Sequence, residues 1–236
     1  MELLLSPLFS GSSGNAVYVG AGRTGILVDA GVSCARVVSE MKATGIDPAA
    51  LSAILITHEH SDHVAGAGIL SRKFDLPIYA TEGTWSAMAE KLGAVSAKNI
   101  RVIESGQDFY IGDLDISPFP LPHDAADPCG YAFPCGRLRA AIATDIGCLR
   151  EGWLKAVSGC ELVLLESNYD PGMLKAGRYP YALKTRILGT KGPLSNEDAG
   201  RAACRLVESG VRSLILGHLS RENNFPELAL ETVRLA

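Results

Sequence analysis

No stretch of the chain approaches about eighteen continuous apolar residues, so a membrane-spanning helix is not expected. The start, MELLLSPLFSGSSG, lacks the basic opening and the long apolar run of a signal peptide. Positive charge is not in excess either: 22 Lys and Arg stand against 26 Asp and Glu, a net charge of -4. That balance excludes a global attraction to nucleic acid or to an anionic membrane. A phosphate-rich partner would have to be gripped by a local basic patch or by metal ions. The six cysteines (Cys34, Cys129, Cys135, Cys148, Cys160 and Cys204) include no Cys-x-x-Cys pair. They read as free thiols in a reducing compartment, and a cytoplasmic location is expected. Repeats of fixed period and low-complexity linkers are missing as well.

What is present is a chain of 236 residues, 47% hydrophobic, enough to bury one sizeable core across residues 1–236. Short apolar strands are expected at Leu3–Phe9, Ala16–Val19, Gly25–Asp29 and Ala53–Thr57, with a helix over Ser33–Thr44 capped by Ser33. Helix, strand and helix follow at Gly66–Phe74, Pro77–Ala80 and Glu82–Leu92. A second cycle runs through strands at Ile100–Glu104, Leu114–Leu121, Gly130–Phe133 and Leu138–Thr144, a helix at Leu149–Val157 and a strand at Glu161–Glu166. The last third reads as helical except for Ser213–Leu216, with Ser195 capping a helix in the run Ser195-Asn196-Glu197-Asp198. Two rounds of strands and helices predict a single α/β domain of four layers, αββα.

The chemistry is concentrated in His58-Glu59-His60-Ser61-Asp62-His63, directly after a buried strand. Residues two apart in extended backbone point the same way, so His58 and His60 can meet on one metal. A turn at Ser61 then lets Asp62 and His63 reach a second. Imidazole and carboxylate suit zinc, manganese or iron, and the lack of a nearby thiolate argues against a purely structural zinc site. The chain holds five histidines in all; the other two, His123 and His218, each lie where a strand gives way to a loop. Asp145 ends the apolar run AAIATDIG, where it either caps the next helix or meets a cation.

In the order of these motifs the chain resembles the metallo-β-lactamase superfamily. The resemblance narrows to the YycJ/WalJ-like metallohydrolases through SGSSGN (Ser10–Asn15), LVDAG (Leu27–Gly31), ILITHEHSDH (Ile54–His63), PHDAADPCGY (Pro122–Tyr131), TDIG (Thr144–Gly147), ESNYD (Glu166–Asp170), LKTRILGTKGPLSN (Leu183–Asn196) and GHLSRENN (Gly217–Asn224). It implies two divalent ions, zinc first and manganese or iron as alternatives. His58, His60 and His123 would hold one, Asp62, His63 and His218 the other, with Asp145 bridging. A hydroxide between the metals would be the nucleophile, with Asp62 orienting it. The family's activities imply a phosphodiester substrate, with DNA the leading candidate.

Between Asp170 and Glu197 lie Lys175, Arg178, Lys184, Arg186 and Lys191 with no acidic residue among them, either a phosphate-steering surface or an ordinary solvated helix face. Ser12 and Ser13 lie in a turn that is either an anion nest or a plain β-turn. These two serines, with Asn168, Tyr169, Lys184, Arg186, Ser195 and Asn196, form the expected substrate set. Two positions depart from the family pattern: Tyr169 and Pro193 stand where histidines are usual. Tyrosine is a poorer proton donor at neutral pH. Two further readings therefore share the scaffold: hydrolysis of a small ester, thioester, lactone or cyclic phosphodiester, and a metal-binding regulatory module with a weakened site. Relatives are expected to extend beyond Ala236, and the sequence carries nothing for or against a homodimer.

Overall fold

A computed structural model describes residues 2–236. Two mixed six-stranded sheets with their helices give the αββα class expected from the sequence. The chain divides into two compact units. One takes the residues up to Pro118 with 125–129 and 133–137; the other takes 119–124, 130–132 and 138–236.

In the first unit, β1 (Leu3–Phe9), β2 (Ala16–Ala21) and β3 (Thr24–Val28) form an antiparallel meander. Then β4 (Leu51–Leu55), β5 (Ile78–Thr81) and β6 (Ile100–Ile103) add in parallel, so the sheet order follows the chain. Parallel neighbours need crossovers, and helices supply them: α1 (Cys34–Ala43) after β3, then α2 (Ser61–Val64) and α3 (Ala67–Phe74), then α4 (Glu82–Leu92). On α1 the buried residues Cys34, Val37 and Met41 recur at helical spacing, and Ser33 caps its first turn by accepting from Arg36 N–H. They join Leu27, Ile54, Ile56, Leu70, Ile78 and Met88 in one apolar core.

The second sheet is ordered β12-β11-β10-β9-β8-β7. Its strands are β7 (Phe109–Ile111), β8 (Leu114–Pro120), β9 (Cys129–Cys135), β10 (Leu138–Ala143), β11 (Leu162–Glu166) and β12 (Ser213–Gly217). The helices here are α5 (Glu151–Ala156), α6 (Pro171–Ala176), α7 (Tyr181–Ile187), α8 (Asn196–Glu208) and α9 (Pro226–Arg234). The second unit has its own core, in which Ala141, Trp153, Val163, Leu165, Ala202 and Leu206 are buried. Ser195 caps α8 as expected, its hydroxyl accepting from Asp198 N–H.

The structure departs from the sequence reading in three places. The turn at Ser61 is one turn of helix, α2, so Asp62 and His63 project from helical backbone. The strand β7 was not expected, because three residues carry too little alternation to register. The last third is less helical than read: residues 188–194 and 218–225 are largely irregular, broken by Gly189, Gly192 and Pro193 in the first case. All six cysteines are free thiols, four of them buried. No helix among the described residues is long and apolar enough to cross a membrane.

Candidate metal centre

In the first unit the ligand cluster is built where β4 ends. His58 is buried; His60 is half-buried in extended backbone, and His58 Nε2 lies 3.0 Å from His60 Nδ1. Two nitrogens about 2.05 Å from one tetrahedral zinc would be separated by about 3.3 Å, so this pair has the span of ligands to a single ion. From α2, His63 is fully buried, with its Nε2 3.6 Å from Asp62 Oδ2.

The partners behind these residues set the tautomers. Asp29 Oδ2 accepts from His63 Nδ1 at 2.8 Å, which makes Nε2 the candidate ligand atom. Thr57 donates its hydroxyl to Asp29 Oδ2 (2.9 Å) and lies 3.0 Å from His58 Nδ1, so it accepts there and directs His58 through Nε2. Asp29 Oδ1 also accepts from Thr57 N–H. Asp29 occupies the left-handed region, φ 61°. A short polar side chain tolerates that conformation, and it turns the carboxylate under the histidines as β3 ends.

The turn is braced from the far side as well. Asn15 N–H donates to Asp62 C=O and Ala30 N–H to His63 C=O, both at 2.8 Å. The Asn15 side-chain amide lies 3.1 Å from His63 Nε2. A Cβ on Gly31 would stand 1.5 Å from Asp62 O, so only glycine allows the two backbones to approach this closely.

In the second unit, three strand ends bring the remaining candidate ligands together. His123 follows β8, Asp145 follows β10 and His218 follows β12; all three are buried. Asp145 Oδ1 lies 3.6 Å from His123 Nε2 and 3.7 Å from His218 Nδ1. Asp145 and His218 are both left-handed, φ 60° and 57°. Such backbone is sparsely populated and clusters where side chains must be aimed.

Behind His218 stands Glu166, completely buried. Its Oε1 accepts from His218 Nδ1 at 2.7 Å; its Oε2 accepts from the N–H groups of Ile146 (2.8 Å) and Leu194 (2.9 Å). Each unit thus uses one buried carboxylate to fix a histidine tautomer, the arrangement that orients imidazole ligands and raises their basicity. Asp145, Glu166 and His218 together offer ligand atoms within 4.8 Å of one another. Imidazole nitrogens and carboxylate oxygens with no thiolate among them fit divalent zinc, manganese or iron.

The expected substrate residues fall into three groups. Ser12 and Ser13 are exposed on a turn closed by its own bonds, Gly14 N–H to Gly11 C=O and Gly11 N–H to Asn15 Oδ1. Asn168, Ser195 and Asn196 are buried in a hydrogen-bonded network. The Asn168 amide donates to His218 C=O at 2.6 Å; Asn196 Oδ1 accepts from the Ser167 hydroxyl, and Asn196 and Asn224 exchange side-chain bonds. Lys184 and Arg186 belong to α7, and Arg186 Nε pairs with Asp124 Oδ2 beside His123. Asp29, Thr57, Asn15 and Glu166 escaped the sequence reading as site residues. LVDAG and ESNYD held Asp29 and Glu166 in view, but only their contacts show what they do.

Tyr169 and Pro193, the two departures from the family pattern, line one pocket of about 310 Å³ with Gly147, Cys148, Leu188 and Arg201. Burial, then the nearby carboxylates of Asp198, Glu166 and Glu197, pushes the Tyr169 hydroxyl up to about 12. Tyr169 therefore stays a neutral donor through neutral and mildly alkaline pH. Raising a phenol's pKa in the folded state stabilises the fold below about 10 and forfeits that gain as pH climbs to about 12. Thermal melts over that interval should fall more steeply for the wild type than for Tyr169→Phe; parallel melts would show that the phenol is not held neutral by its surroundings.

A family model described as the beta-lactamase superfamily domain matches residues 24–219. Over 233 residues the chain is 40% identical to the protein named exodeoxyribonuclease YycJ of Bacillus anthracis, covering 99% of this chain and 88% of that protein. It is also 40% identical over 230 residues to exodeoxyribonuclease WalJ of Streptococcus pneumoniae, covering 97% and 86%. Among solved structures, the metallo-β-lactamase fold protein YhfI of Bacillus subtilis aligns with a TM-score of 0.75 at 16% identity, covering 100% of this chain and 93% of that one. A diphosphatase from the PhnP family aligns with a TM-score of 0.70 at 17% identity, covering 96% and 91%. At such identities the two structures share the fold alone.

Proposed function

The chain belongs to the metallo-β-lactamase superfamily and to its YycJ/WalJ-like branch, and from that premise we propose that it is a metal-dependent phosphodiesterase acting on DNA as an exonuclease. The observation that carries this reading is the pair of braced ligand sets, Asp29 behind His63 and Glu166 behind His218, in a chain 40% identical to two named exodeoxyribonucleases. In the proposed centre His58, His60 and His123 would hold one ion and Asp62, His63 and His218 the other, with the Asp145 carboxylate able to serve both. Zinc suits this donor set best.

Bound divalent ions supply a water of lowered pKa and offset charge on the phosphoryl oxygens. The protein's own groups do the rest. Asp62, half-buried on α2, orients the attacking water. Asp29 and Glu166 hold His63 and His218 in one tautomer, so the ligating nitrogens need no rearrangement during turnover. Tyr169 donates a hydrogen bond to the leaving side and does not shuttle a proton at neutral pH. The cations of α6 and α7 attract the phosphate backbone.

The test adds Mn²⁺ or Zn²⁺ to metal-free protein with linear 5′-phosphorylated DNA, duplex and single-stranded in parallel, and follows nucleotide release from each. Release should depend on metal and fall by more than about 100-fold in His58→Ala, beyond the usual effect of changing a ligand's outer partner. No release from protein that binds two ions would overturn the DNA reading and turn the search to small esters and cyclic phosphodiesters.

A further inference from the structure

The helix α7 has an uncommon property: among its described residues, none is buried. A helix of seven residues has little intrinsic stability, and this one contributes nothing to the apolar core. It carries an exposed aromatic side chain, Tyr181, 86% exposed. One face carries Tyr181 and Lys184 and is continued by Leu188, the still-helical residue just past the end of α7, at the i, i+3 and i+7 spacing that aligns side chains on a helix. Leu188, 46% exposed, is also a wall of the 310 Å³ pocket. The floor of that pocket includes Gly147 and Cys148, two and three residues beyond the proposed ligand Asp145.

Charge and anchoring point the same way. Lys175, Arg178, Lys184, Arg186 and Lys191 have no acidic residue among them in sequence, within a chain of net charge -4. Lys184 Nζ donates to Lys175 C=O at 2.7 Å, which holds the ammonium on the α6 side while leaving it further N–H groups to donate. The Arg186–Asp124 pair, 2.5 Å, ties α7 to the residue next to His123. Beyond α7, Thr190 and Lys191 lie against Gly147, where a Cβ would stand 2.2 Å from Thr190 O. The helix is thus secured at its outlet, beside the metal loops, while its outer face stays open.

We propose that the Tyr181–Lys184–Leu188 face of α7 holds the terminal nucleotides of a single DNA strand and feeds the last one into the pocket lined by Tyr169 and Leu188. Cations beside an exposed aromatic ring form the sequence-tolerant arrangement that tracks a single strand: the ring stacks a base and the cations take phosphates. Inside a duplex each base is stacked on both sides and has no face left for Tyr181, so the occupant is an unpaired strand. From Tyr181 to Leu188 the helix rises about 10 Å, the length of about three stacked nucleotides at about 3.4 Å each.

This inference rests on the phosphodiesterase reading, and its test separates the two. Metal-loaded protein is titrated into a fluorescent ten-nucleotide oligodeoxythymidine with phosphorothioate linkages, which resists hydrolysis, and anisotropy is read. Tyr181→Ala should weaken binding by about fivefold to a hundredfold, with Tyr181→Trp restoring it. Lys184→Ala should lower the slope of log affinity against log salt by about 0.7. Hydrolysis of bis(p-nitrophenyl) phosphate by the wild type runs alongside, since this small diester has no strand of nucleotides to lay along α7. Hydrolysis together with oligonucleotide binding that ignores Tyr181→Ala overturns the track and leaves the phosphodiesterase reading standing. Tyr181-dependent binding without hydrolysis supports the track and overturns that reading. Failure of both overturns both.

Discussion

Glu166→Ala is expected to lower the stability of the protein by about 3–5 kcal/mol, read as a fall in the urea midpoint. Its carboxylate is fully buried and has three hydrogen-bond donors in contact: Ile146 N–H, Leu194 N–H and His218 Nδ1. Alanine leaves two backbone N–H groups buried without that acceptor, each costing about 1–3 kcal/mol, together with a small cavity. Glu166→Gln separates folding from metal affinity. It keeps nearly the same volume and one acceptor oxygen, so the fold should survive with a smaller loss. The amide is a weaker acceptor than a carboxylate and presents an N–H₂ on its other arm. His218 should then lose tautomer control, and affinity for the proposed second ion should fall by about 10- to 100-fold. Competition against a chromophoric chelator measures this without reference to turnover. Unchanged affinity in a folded Glu166→Gln protein would mean that Glu166 supports the backbone but does not set the ligand.

How much of this was legible in the sequence depends on whether the signal is local. His58, His60, Asp62 and His63 lie within six positions, so their clustering is readable without a fold; extended backbone accounts for His58 and His60, while the helical turn that carries Asp62 and His63 was not foreseen. Strand ends were legible for the same reason: AAIATDIG and LILGH are apolar runs that stop at a polar group, and Asp145 and His218 stand at those stops. Asp29 and Glu166 are different. Each sits at or just past the end of a β-strand and acts on a histidine 34 or 52 residues away. Nothing in local pattern says which imidazole a buried carboxylate will reach. Asn168 and Asn196 show the converse. Polar residues in a motif invite assignment to substrate, yet burial ties them to His218, Ser167 and Asn224. The left-handed backbone at Asp29, Asp145 and His218 was equally hidden, because no glycine marks it. The exposure of α7 was legible: its run of cations read as a solvated or phosphate-steering surface, and none of its residues is buried.

Asp145 offers the sharpest test of the proposed centre, because its backbone and its charge can be changed separately. At φ 60° a non-glycine residue is strained, and aspartate and asparagine bear that strain better than alanine. Asp145→Asn should therefore fold almost as the wild type does while losing the charge that two cations would share. Turnover on a phosphodiester should fall by at least about 10²–10³-fold, the range for removing one preorganised electrostatic contact to the reacting centre. Metal stoichiometry should fall from two toward one, because neither ion keeps its shared carboxylate. Asp145→Gly relieves the backbone and deletes the side chain; Asp145→Ala deletes the side chain and keeps the strain. Glycine should be the more stable of these two by about 1 kcal/mol, with activity equally lost in both. If Asp145→Asn kept two ions and wild-type turnover, the bridge would be wrong. The carboxylate beside His123 and His218 would then act only to orient them. If stability alone changed across the three variants, Asp145 would belong to the turn after β10 and not to the chemistry.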